Sequence, residues 1–135
     1  GTGWTSIVPI EVWSLNTGTT TLLLSYQAGT GKAHLNTVAE DGAMNPVWQR
    51  DDWGTGWTSI VPGHVGAEPF LLSYKIGDGR THVNGASSDG AMDQWWSGNW
   101  GAGWTSVVEM KADNSNFLLR YNSGSGKATL ARIRN

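Results

Sequence analysis

A stretch of nine residues occurs twice without change, and this repetition limits what the chain can fold into more than any other feature. Gly-Thr-Gly-Trp-Thr-Ser-Ile-Val-Pro begins at Gly1 and again at Gly54, and a third version, Gly-Ala-Gly-Trp-Thr-Ser-Val-Val, begins at Gly101. Further matches follow in the same order. Leu23 to Tyr26 and Leu71 to Tyr74 read Leu-Leu-Ser-Tyr, and Leu118 to Tyr121 read Leu-Leu-Arg-Tyr. A Gly-x-Gly turn and a basic residue come next, from Gly29 to Lys32, Gly77 to Arg80 and Gly124 to Lys127. Asp-Gly-Ala-Met then occurs at Asp41 and Asp89, each time ahead of a Trp-rich segment, Val47 to Trp53 or Trp95 to Trp100. Repeats of this length mark stacked or radial architectures, in which one unit cannot bury its apolar face alone.

The units are residues 1–53, 54–100 and 101–135, and the last lacks the Trp-rich segment. From the first Trp to the Tyr the distance is 22 residues in unit one but 17 in the others, which places a five-residue insertion within Glu11 to Thr21, around Trp13. Each full unit reads as four short strands. Leu24 and Tyr26 share a face of the second strand, as do Leu72 and Tyr74, and Leu119 and Tyr121. Gly-rich turns supply the positive φ that tight hairpins need, and no 3.6-residue periodicity persists. The expected class is all-β, and Asp41-Gly42 and Asp89-Gly90 are expected turns.

Two architectures take repeats of this size. One is a ring of β-propeller blades; the alternative is a monomeric β-trefoil. The shortened third unit favours the propeller, because a blade's fourth strand is outermost, whereas a trefoil lobe needs its fourth strand to close the barrel wall. Three blades do not close a ring, which takes about four to eight, so the expectation is assembly by oligomerisation, most simply a homodimer with six blades. Charge agrees with head-to-tail contact. Residues 1–53 carry −3, residues 54–100 carry −2 and residues 101–135 carry +3.

The order of features resembles the repeat of the tachylectin-2-type β-propeller lectins, whose blades are close to 47 residues long. Here it is carried by Gly56-Trp57, Leu71 to Tyr74, Gly77 to Arg80 and Trp96 to Trp100. The resemblance implies a propeller that binds sugars, although the Thr-Ser-Ile-Val-Pro wording and the three-unit length depart from that pattern.

The residues point the same way by themselves. A sugar presents in-plane hydroxyls and an apolar C–H face, so its site wants an aromatic ring beside hydrogen-bonding groups. Two segments offer that chemistry. The loop Asp52-Trp53-Gly54-Thr55-Gly56-Trp57 matches Asn99-Trp100-Gly101-Ala102-Gly103-Trp104. On the third strand, Lys32, His34 and Asn36 share a face, as do Arg80, His82 and Asn84. The competing reading makes Trp4, Trp57 and Trp104 inter-unit core, Trp48 and Trp96 packing, the polar strand faces solvated, and the three tyrosines buried bodies with bonded hydroxyls.

Catalysis finds little support. His34 and His82 occupy one repeat position that becomes Thr129 in unit three, and Asp51-Asp52 becomes Gly98-Asn99. No Gly-x-Ser-x-Gly elbow, phosphate loop or calcium loop occurs. The chain is read as a non-enzyme with no cofactor or metal. Its net charge of −2 carries no footprint for nucleic acid, and no apolar run reaches membrane-spanning length. Cysteine is absent, which leaves the compartment open between an extracellular and a cytoplasmic defence lectin. The expected function is a multivalent lectin whose ligands are glycans. The alternatives are a protein-interaction scaffold and an excised or engineered piece of a longer propeller.

Overall fold

A computed structural model describes residues 3–14, 18–66, 68–86 and 92–133, with the side chain of Ser14 left undescribed. The expected Asp89-Gly90 turn and the tip of the insertion, residues 15–17, lie outside the described residues.

Among the described residues all regular structure is β, in 11 antiparallel strands forming sheets of four, four and three. The first sheet runs in chain order through β1 (Ser6–Ser14), β2 (Gly18–Tyr26), β3 (Ala33–Val38) and β4 (Met44–Arg50). The second repeats it with β5 (Ser59–Val65), β6 (Glu68–Tyr74), β7 (Arg80–Ala86) and β8 (Met92–Asn99). The third holds β9 (Ser106–Ala112), β10 (Ser115–Asn122) and β11 (Lys127–Ile133), with no fourth strand among the described residues. Among the described residues no strand pairs outside its own sheet, and no barrel closes.

Strand formation follows the local pattern. Along β1 the buried residues Val8, Ile10 and Val12 alternate with exposed neighbours, the period of a sheet with one covered face. The turns use the residues that their geometry demands. Gly31, Gly79 and Gly126 have φ near +80°, +80° and +75° in the three β2–β3-type hairpins. The two-residue turn between β9 and β10 places Asp113 and Asn114 at φ 48° and 64°, the left-handed pair that a tight hairpin favours. Asp41 accepts a 2.9 Å bond from the Ala43 N–H, which makes the expected turn. The insertion lengthens the β1–β2 hairpin, where Trp13 pairs with Thr19 and stays 57% exposed.

The sheets pack face to face in series. Leu22, Leu24 and Tyr26 of β2 cluster with Trp57 and Leu71 of the second unit. Phe70, Leu72 and Tyr74 of β6 cluster with Trp104, Val107 and Leu118 of the third. The middle sheet is therefore covered on both sides, and β6 is buried from Pro69 to Tyr74. Each fully buried leucine contributes about 1.5–3 kcal/mol. The first strands lie beside one another, β1 by β5 and β5 by β9, while β4 and β8 form the far edges. Gly63 of β5 fits this crowded side, since a Cβ there would overlap the Phe70 ring.

Candidate functional site

The joint between units is set by one tyrosine in each sheet. The Tyr26 hydroxyl donates to the Gly54 carbonyl at 2.7 Å and accepts the Trp57 backbone N–H at 3.1 Å. Tyr74 repeats both bonds with Gly101 and Trp104, at 2.7 and 3.1 Å. Burial raises the Tyr26 pKa, and the bond from Trp57 opposes this in part. The phenol consequently stays protonated as donor and acceptor at neutral pH.

These bonds pin the Trp-Gly-x-Gly-Trp loop, and the loop shapes a cleft. The Trp57 indole is 4% exposed, and its Nε1 donates to the Trp53 carbonyl at 3.4 Å. Trp53 stands edge-on to both Tyr26 and Trp48. On the far side the His82 ring stands edge-on to Trp57, 4.8 Å between centroids. The resulting cleft of about 230 Å³ is lined by Trp48, Arg50, Asp52 and Trp53 from unit one, and by Trp57, Ser73, His82, Asn84, Met92 and Gln94 from unit two. Its volume lies below the usual 300–1,000 Å³ of drug-sized sites, which suits one small polar ring.

The two sequence segments singled out for sugar binding thus meet here, across a unit boundary rather than within one unit. Asp52, Trp53 and Trp57 come from the loop, and His82 and Asn84 come from the third strand of the following sheet. Arg80 is exposed and stands outside the lining. Trp48, Arg50, Ser73, Met92 and Gln94 were not among the candidates. The repeated Leu-Leu-Ser-Tyr wording was the signal for Ser73, whose hydroxyl is buried without a partner.

His82 is held below its ordinary pKa of 6.5, first by burial and then by the charges of Arg80 and Lys75. At neutral pH its imidazole is uncharged and offers one donor and one acceptor. With the carboxylate of Asp52 and the amides of Asn84 and Gln94, the cleft has both hydrogen-bonding senses beside indole surface. Asp52 also accepts from the Arg50 Nε at 3.2 Å, an exposed pair.

The other candidates are placed differently. Lys32, His34 and Asn36 stay outside the cleft. His34 stands edge-on to Trp4, 4.9 Å between centroids, and its Nε2 is buried without a partner. Trp4, His34 and Asn36 repeat one wall of the cleft, with no fourth strand and loop opposite it among the described residues. Asn99 closes its own loop: its amide donates to the Asp78 carbonyl at 2.8 Å and accepts from Gly101 N–H at 2.7 Å. Trp104 is 8% exposed, its Nε1 bonded to the Trp100 carbonyl at 3.0 Å.

Two packing expectations need correction. Trp48 is half-buried beside Met92 of the next sheet, but Trp96 is 44% exposed, with no strand corresponding to β8 opposite it among the described residues. Tyr121, expected to be buried like its counterparts, is 41% exposed, with no Gly-Trp loop closing over it among the described residues.

No protein-family model and no curated protein matches the chain. Among the described residues no cluster of three potential ligands suits a metal ion, and no helix is long and apolar enough to cross a membrane.

Proposed function

We propose that the chain is a carbohydrate-binding protein of the lectin kind, which holds single sugar rings between its repeated sheets without catalysis. The cleft bounded by Trp48, Trp53 and His82 carries this reading. It sets indole surface against Asp52, His82, Asn84 and Gln94 in a space of about 230 Å³. A ring's C–H face packs on indole while its hydroxyls bond to the polar side chains. One such site binds weakly, around millimolar or about −4 kcal/mol. Repetition raises avidity by about 10²–10⁴-fold on a glycan-covered surface.

We further propose that the sheets are propeller blades. Support comes from their serial face-to-face packing and from the neighbouring first strands β1, β5 and β9. Three blades leave a ring open. A second copy is the simplest completion, and the exposed Tyr121 is the side chain that would take a Gly-Trp loop from it. A solution mass of twice the 14.5 kDa chain is expected, and a monomer at all concentrations contradicts this assembly.

One observation favours a protein-interaction role instead. An apolar hollow of about 260 Å³ lies beside exposed Trp95 and Trp96, with Val83, Leu118 and Ile133. A glycan array separates the readings. The lectin binds particular glycans, free sugar competes, and Asn84→Ala weakens binding without unfolding the protein. Silence of the folded protein across a broad array rejects the lectin reading.

A further inference from the structure

The second inter-unit joint repeats the hydrogen bonds of the first but carries a different charge. In units one and two, a serine of the second strand pairs across the sheet with a histidine of the third, Ser25 with His34 and Ser73 with His82. Unit three has Arg120 paired with Thr129 at that position. The Arg120 guanidinium reaches into the joint, 4.7 Å from the Trp100 ring centroid and 4.9 Å from that of Trp104. Trp100 is turned accordingly. It makes an interplanar angle of 36° with Tyr74, whereas Trp53 makes 77° with Tyr26.

Arg120 is only partly exposed, yet no carboxylate pairs with it among the described residues. Its Nε donates to the Thr129 hydroxyl at 2.9 Å, and the only ion pair among the described residues is Arg50 with Asp52. A guanidinium has five N–H groups in a rigid fork. Here the other four find no acceptor among the described residues. Two indole faces and a bonded Nε hold the fork still, which lowers the ordering cost of binding. A planar carboxylate fits such a fork through two parallel bonds.

We propose that the Arg120 fork at this joint is a subsite for the carboxylate of an acidic sugar, of the uronic-acid class. The subsite rests on the lectin reading and adds a division of labour to it. Neutral rings enter the cleft beside Trp53, and acidic rings bind at Arg120.

The test follows indole N–H resonances while methyl glucuronide, methyl glucoside or glucose 6-sulfate is added to the folded protein. Glucuronide is expected to shift Trp100 and Trp104 and to bind there about tenfold or more tighter than glucoside, as a charge-assisted pair implies. Arg120→Ser, which installs the residue of the other two units, is expected to abolish that preference while leaving Trp53 and Trp57 responsive to neutral sugar. Equal affinity for glucuronide and glucoside overturns the proposal, as does a preference that survives in Arg120→Ser. Binding of the sulfate ester as tightly as glucuronide overturns the assignment to a carboxylate. Failure of the neutral-sugar reading is seen separately, as unmoved Trp53 and Trp57 signals with every neutral glycoside.

Discussion

The backbone N–H of Trp57 ends on the phenol oxygen of Tyr26, 3.1 Å away and 31 residues earlier, and Trp104 meets Tyr74 in the same manner. Each sheet thereby fixes the first tryptophan of the next. The same phenols also bond to the carbonyls of Gly54 and Gly101, so the Gly-Trp loop at each joint is held at two points.

Tyr26→Phe and Tyr74→Phe keep the rings but strand a backbone N–H and a carbonyl near the core. Each is expected to cost about 1–3 kcal/mol, read from urea unfolding. Tyr121→Phe, at the exposed equivalent, is expected to stay within about 0.5 kcal/mol of the parent. Equal effects at all three positions would refute the joint.

Gly63 is filled by its neighbour's ring. Gly63→Ala pushes a Cβ into Phe70 and toward Glu109, and is expected to cost about 1–3 kcal/mol. The smaller side chain in Phe70→Leu should recover part of that loss, giving a coupling in the double-mutant cycle. Strict additivity would mean that the overlap is relieved elsewhere.

His82 gives stability a pH dependence of known sign. Its folded pKa lies below the ordinary 6.5, so the unfolded chain takes up the proton more readily. Its contribution is complete above that ordinary value and declines as pH falls through it toward the folded pKa. Between about pH 7.5 and about pH 5.5 the parent should lose more stability than His82→Gln. An identical loss in both proteins would remove His82 from the account.

Asn84 lines the cleft from β7 without belonging to either buried cluster. Asn84→Ala is expected to weaken sugar binding by about tenfold, the worth of one well-placed hydrogen bond. The urea midpoint should hardly change. A collapse of stability with no separate effect on binding would make Asn84 a structural residue only.

The repeat wording carried the fold a long way. Leu24 and Tyr26, two apart on one strand, announced a buried face, and the Gly-x-Gly spacings marked hairpins that the structure contains. The site was legible only as halves. Asp52-Trp53 and His82-Asn84 each have sugar-binding chemistry, but they lie in different units and nothing in the sequence pairs them. The stacking of sheet on sheet joins them across a boundary, and no local pattern encodes that partnership. Trp96 and Tyr121 misled for a related reason. Trp48 is half-buried and Tyr26 and Tyr74 are buried against the following unit, so equivalent repeat positions differ in exposure where that cover is missing. The substitution of Arg120 for serine was visible in Leu-Leu-Arg-Tyr, yet its meaning depends on Trp100 and Trp104 flanking the guanidinium.

The central claim is that a sugar ring enters the cleft bounded by Trp48, Trp53, His82 and Asn84. Titrating the folded protein with a panel of neutral methyl glycosides, while following its indole N–H resonances, tests this most directly. The account predicts that at least one glycoside shifts Trp48, Trp53 and Trp57 together at around millimolar concentration, with Trp13 and Trp95 unmoved and the response reduced in Asn84→Ala. Indole signals that stay fixed through tens of millimolar (about tenfold above that range) of every glycoside, in a protein whose spectrum shows it folded, would contradict the claim.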